Sequence, residues 1–159
     1  MTERQKLIAR KRDLQAARNC VRKLEGVEAL GVFELTVNPA LQQFCQAHFP
    51  AFFNRQPVSR LDYQASEEQV CVWLMEHLGL SGGDVCFWQI YSVWASIRIL
   101  DLPAALGSLW AHRDILLITA DFRQILGAGF DSRDEEHFLI DRLVVENEPE
   151  EDLHKRGLL

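Results

Sequence analysis

Lysine is missing between Lys23 and Lys155. A body of that length without lysine cannot carry a Walker-type phosphate lysine, a Schiff base, or a nuclease lysine beside paired acids. Arginine does the remaining cationic work. Cys20, Cys45, Cys71 and Cys86 are 25, 26 and 15 residues apart, so no Cys-x-x-Cys pair announces a zinc ribbon or a thioredoxin-type site. Each cysteine sits among apolar neighbours and reads as a reduced, buried small hydrophobe. The histidines at 48, 77, 112, 137 and 154 form no His-x-x-x-His pair. No Gly-x-Ser-x-Gly elbow is present. Gly127-Ala128-Gly129 lacks a third glycine and a following helix start, so it reads as strand or turn backbone rather than a phosphate cradle. No uninterrupted apolar run reaches the roughly 18 residues of a membrane span. The N-terminus, Met1-Thr2-Glu3-Arg4-Gln5-Lys6, leads into charge rather than into a signal-peptide core. The expectation is a cytoplasmic domain of bacterial type, with no cofactor, no metal site and no assigned catalytic residue.

At 159 residues and 48% hydrophobic content, the chain can bury a core without disulfides or a structural metal. Its net charge of -6 hides two unlike parts. Residues 1–24 hold eight basic groups against Glu3 and Asp13, a net of +6. The rest carries -12, concentrated between Asp131 and Asp152, where ten acids face only Arg133 and Arg142. Such asymmetry points to an electrostatic partner for one segment, or to two solvated faces.

Heptad spacing of Leu7, Leu14 and Val21, with no Gly or Pro, predicts a helix over 3–24 with a basic stripe of Arg4, Lys11, Arg18 and Arg22. Alternation predicts a strand over 28–37. Asn38-Pro39 predicts a helix start, with Pro50 disrupting the helix after about Phe49. Residues 54–65 read as a loop. Ser66 caps a helix from Glu67 to about Leu78 that buries Val70, Trp73, Leu74 and Leu78. A strand is favoured over 93–99, while 85–91 is ambiguous between strand and helix. Asp101 caps a short helix to about His112. The last third predicts a three-stranded antiparallel meander: Ile115–Thr119, Phe122–Phe130, and a strand ending near Val145. Asp131 to Glu136 reads as a polar connection, and 146–159 as an acidic tail. The whole is one α+β domain over 1–159, with N-terminal helices packed on a C-terminal meander.

The candidate partner-binding residues are Asp121, Asp131, Asp134, Glu135, Glu136 and Asp141. Rigid carboxylates can occupy a site built for phosphates, steering association and blocking it. A solvating hairpin tip is the plainer reading of the same acids. Nucleic acid is not the expected partner, because the basic helix lacks interleaved aromatics and no helix-turn-helix follows it.

The stretches Ile115-Leu116-Leu117-Ile118-Thr119-Ala120-Asp121 and Phe130-Asp131-Ser132-Arg133-Asp134-Glu135-Glu136-His137-Phe138-Leu139-Ile140-Asp141-Arg142 resemble the C-terminal meander of small bacterial immunity proteins, which guard cells against contact-dependent or polymorphic toxins. The resemblance implies a non-enzymatic protein that binds a basic toxin domain and blocks it. Two other classes stay open: a small enzyme with an unrecognised carboxylate or Cys/His site, and a regulatory adaptor using the basic helix.

Overall fold

The structure, a computed structural model, describes residues 2–145. The acidic segment 146–159 lies outside the described residues. Helix α1 spans Glu3–Arg22, and Thr2 and Gln5 close a capping box on its first turn. Strand β1 spans Val27–Phe33, shorter than the expected 28–37, because Leu35–Val37 tightens into a 3-10 turn that leads to Asn38. Asn38 caps α2, Pro39–Phe53, with Pro39 in its first turn.

Pro50 does not end α2, contrary to expectation. A mid-helix proline costs about 3 kcal/mol through its lost N–H and ring clash. Phe52 is buried beyond it, and Phe49 and Phe53 pack on each other with ring centroids 5.3 Å apart. Burying Phe52 is worth about 1.5–3 kcal/mol, comparable with that cost, and carries the helix through.

Residues 54–65 are not all loop. Strand β2, Ser59–Asp62, pairs antiparallel with the last strand. Helix α3, Glu67–Leu78, has the expected bounds, a Ser66 cap and a left-handed Gly79 at its end. It buries Val70, Trp73, Leu74 and Leu78. The ambiguous segment is strand β3, Val85–Ile90, which forms a hairpin with β4, Val93–Ile99. Tyr91 turns that hairpin at φ 53°. Asp101 caps α4, Leu102–Leu109, and a 3-10 turn carries the chain to His112. The meander follows as β5, Asp114–Thr119; β6, Gln124–Asp131; and β7, Asp134–Val144. The expected connection 131–136 therefore shrinks to Ser132-Arg133. Glu135 and Glu136 belong to the strand instead.

The class is α+β, and the meander is part of a larger sheet. Seven antiparallel strands run in the order β1-β4-β3-β5-β6-β7-β2. Alternation sends Cys86, Trp88, Ile97, Leu117, Leu126 and Ile140 to one face, where they pack with α1, α3 and α4. Trp94, Ile118, Ile125 and Leu143 face the other side, where α2 alone covers them. One helix cannot cover so wide a sheet, and the uncovered part is where the candidate site lies. Among the described residues, no helix is long and apolar enough to cross a membrane.

Candidate functional site: an acidic cleft on the uncovered sheet face

The cleft starts from two glycines. Gly127 and Gly129 stand two residues apart on β6, so both present bare backbone to the face that α2 leaves open. Register places Leu116 of β5 and Asp141 of β7 on either side of Gly127. Asp114 and Leu139 flank Gly129 in the same way. The result is a trough two strand spacings wide, about 9–10 Å. It opens into a cleft of about 410 Å³. That size suits a small ligand or the side chains of a docked segment.

Aromatic rings form the rim. Phe53 at the end of α2, Tyr91 in the β3–β4 turn, and Phe130 beside Gly129 all line the cleft. Phe53 and Tyr91 are 62% and 58% exposed, which leaves them free to be covered by something else, while the Phe130 ring packs on Tyr63 and Phe138 with centroids 5.2 and 5.0 Å away. Among the described residues, Tyr91 and Arg113 beside the cleft, and Phe122 elsewhere, are the non-glycine residues at positive φ. Strain of this kind concentrates at functional sites.

One end of the cleft is charged. The Arg133 guanidinium donates to Asp131 Oδ2 at 2.9 Å and to Asp141 Oδ2 at 2.7 Å. It also donates to the Arg55 carbonyl at 2.8 Å, which fixes its position. These hydrogen bonds hold the Asp131 carboxyl below its ordinary range and push the Arg133 guanidinium above its own. Asp141 Oδ1 is buried and has no hydrogen-bond partner among the described residues. Asp114 makes no ion pair among them either. Three carboxylates against one guanidinium leave the cleft with a surplus of about two negative charges at neutral pH.

The six acids singled out in the sequence do not form one patch. Asp131 and Asp141 enter the cleft. Asp134 sits across the hairpin from Asp131 but serves the fold. It accepts from the amides of Glu136 and His137 at 2.9 and 3.0 Å and from the His137 ring at 3.1 Å, and it forms an ion pair with Arg60 at 3.3 Å. Its carboxyl is lowered, first by the Glu136 amide. Glu135 and Glu136 are exposed and make no ion pair among the described residues. Asp121 lies at the opposite end of β6, on the order of 25–30 Å away by strand rise. It shapes the β5–β6 turn, accepting from Thr119 Oγ1 at 2.7 Å and the Arg123 amide at 3.1 Å, and the Thr119 bond leads the causes that lower its carboxyl.

Sequence reasoning missed Asp114, the aromatic rim and the role of the glycines. The available signal was a Gly-x-Gly inside an apolar strand, which leaves one face bare. The residues lining the cleft include no Cys, His, Ser, Thr or Lys. Elsewhere, Cys20 Sγ lies 3.6 Å from His112 Nε2. Burial pushes the Cys20 thiol up, the wrong direction for a nucleophile. Burial also pushes Cys45 to about 11 and Cys86 to about 12. All four cysteines are free, with Cys45 and Cys86 buried and Cys20 and Cys71 half-buried. Among the described residues, no three His, Cys, Asp or Glu converge as metal ligands.

No family model, curated protein or solved structure matches this chain.

Proposed function

We propose that the chain is a protein-binding module, an immunity-type inhibitor that neutralises a cognate bacterial toxin by taking a basic segment of it into the acidic cleft. The observation that carries the reading is the trough over Gly127 and Gly129, rimmed by exposed aromatics and ended by Asp114, Asp131 and Asp141. Carboxylates at a cleft end attract cations from a distance and orient them on arrival. Aromatic rings on the rim cover the stem of an arginine or lysine side chain and interact with its charge. Asp114, exposed at the cleft end and in no ion pair among the described residues, is free to pair with an arriving guanidinium. Arg133 keeps the neighbouring carboxylates in place meanwhile. In this reading the module works in the cytoplasm, where its cysteines stay reduced.

The test is capture from host lysate with the wild-type protein and with a folded Asp131→Asn/Asp141→Asn variant. The expected result is one basic protein, retained at low salt, released at high salt and lost with the variant. Equal recovery of the same protein by wild type and variant would remove the cleft from the account. A companion Glu135→Gln/Glu136→Gln variant is expected to slow association while leaving the dissociation rate nearly unchanged, because rim charges steer more than they hold.

A further inference from the structure

A second surface lies on the opposite side of the sheet. Helix α1 packs on the sheet mainly through Ala17 and Val21, both buried. Every residue from Thr2 to Ile8 is exposed, so the first two turns stand clear of the body. The outward side carries Arg4, Lys11, Arg12, Arg18, Arg22 and Lys23, all exposed. None of the six makes an ion pair among the described residues. The two acids of the helix are engaged elsewhere, Glu3 with Lys6 and Asp13 with Ser92. The row extends over 20 residues, about 30 Å of helix.

The chemistry of that row selects its occupant. A protein partner is anchored by aromatic and aliphatic side chains, and a membrane surface needs an apolar helix face. This side offers Ile8 alone, with Leu7 on its flank, while Ala17 and Val21 of the apolar face are buried against the sheet. What remains is recognition by charge, and four of the six cations are arginines, which match phosphate geometry. We infer that the outward side of α1 binds the phosphodiester backbone of duplex nucleic acid without reading its bases. Backbone contacts need none of the stacking aromatics whose absence argues against single-strand binding. The net negative charge of the chain does not oppose it, since charges farther away than about 10 Å are screened. The cleft plays no part, so the two surfaces stand or fall separately.

The experiment is fluorescence anisotropy of a labelled 20-base-pair duplex with the full chain. The expected dissociation constant at 50 mM salt is in the range of about 1–100 µM. With roughly four phosphate contacts, affinity should fall by about 150-fold between 50 and 200 mM salt. The variant R4Q/K11Q/R12Q/R18Q, its helix content checked by circular dichroism, should lose binding, and DNA and RNA duplexes should behave alike. No saturable binding at 50 mM salt would overturn the inference. So would binding that survives the quadruple variant, or equal affinity for polyglutamate or phosphatidylserine vesicles, which would assign the row to acidic protein or lipid instead.

Discussion

Replacing Gly129 with alanine is expected to destabilise the protein by about 3–5 kcal/mol, among the largest effects of any single methyl in the chain. Gly129 has φ +146°, a region closed to side chains. A Cβ there would lie 2.0 Å from the Arg113 carbonyl oxygen and 2.8 Å from its carbon. Both are backbone atoms of the residue that leads into β5, so no rotamer relieves the clash. The same carbonyl accepts from the Phe130 amide at 3.0 Å, and the ladder shifts register between Gly129 and Asp131. Moving Arg113 away would break that bond and tilt Phe130 on the cleft rim. Gly83 is the control. It too has positive φ, +91°, but a Cβ there meets nothing within 4 Å. Gly83→Ala should therefore cost only the backbone penalty, about 1–2 kcal/mol. Urea midpoints at neutral pH separate the two. Equal losses at both positions would mean that the close approach at Gly129 is not real.

The second large effect concerns Arg133. Arg133→Met keeps the stem but removes the cation shared by Asp131 and Asp141. The Asp141 side chain is only 13% exposed, so its carboxylate would be left nearly dry and unpaired. Removing one partner of such a pair costs about 2–3 kcal/mol at neutral pH. The pH dependence gives a sharper signature. In the wild type, the Asp131 carboxyl is held down by Arg133, so the unfolded chain takes up that proton first as pH falls. Its stabilisation is present above the ordinary carboxyl range, about pH 4, and is lost as pH falls through the folded value. In the variant the Arg133 hydrogen bond that leads the causes lowering the Asp131 carboxyl is gone, and this pH-dependent stabilisation goes with it. The stability gap between wild type and variant should widen as pH rises from the folded Asp131 value to above about pH 4. A gap that is constant or narrows over that range would show that Arg133 does not hold that carboxyl down.

Local signals carried much of the fold. Ser66 and Gly79 bound α3 because each meets a backbone requirement of its own, a cap oxygen and a left-handed turn. Asp101 and Asn38 start α4 and α2 for the same reason. The misreadings involve tertiary terms. Pro50 is a helix breaker by local chemistry, and only burial of Phe52 beyond it in the folded core offsets that. Strand β2 has four residues with one apolar side chain among them, Leu61, and becomes a strand because β7 offers it an edge. Charge density placed Asp131 and Asp134 at a hairpin connection, where β6 turns into β7, while Asp141 stands mid-strand opposite Gly127. It could not sort Asp131 and Asp141 from Asp134 and Asp121, since the sorting depends on Arg60, Arg133 and the direction of each turn. The cleft itself was nearly invisible, because its floor is an absence of side chains and its rim joins Phe53, Tyr91 and Phe130 from three distant segments.

The cleft is also where the account is most directly tested. Amide chemical shifts of the labelled protein, titrated with an N-acetylated hexa-arginine peptide at low salt, report where a basic segment docks. The account predicts saturable shifts at Asp114, Gly127, Gly129, Phe130 and Asp131, with the α1 amides unmoved, and at least a tenfold loss of affinity in Asp141→Asn. A weakening of that kind, about 1.4 kcal/mol, matches the loss of one carboxylate charge from the cleft end. Shifts confined to Glu135, Glu136 and the hairpin tip, or an affinity indifferent to Asp141→Asn, would contradict it.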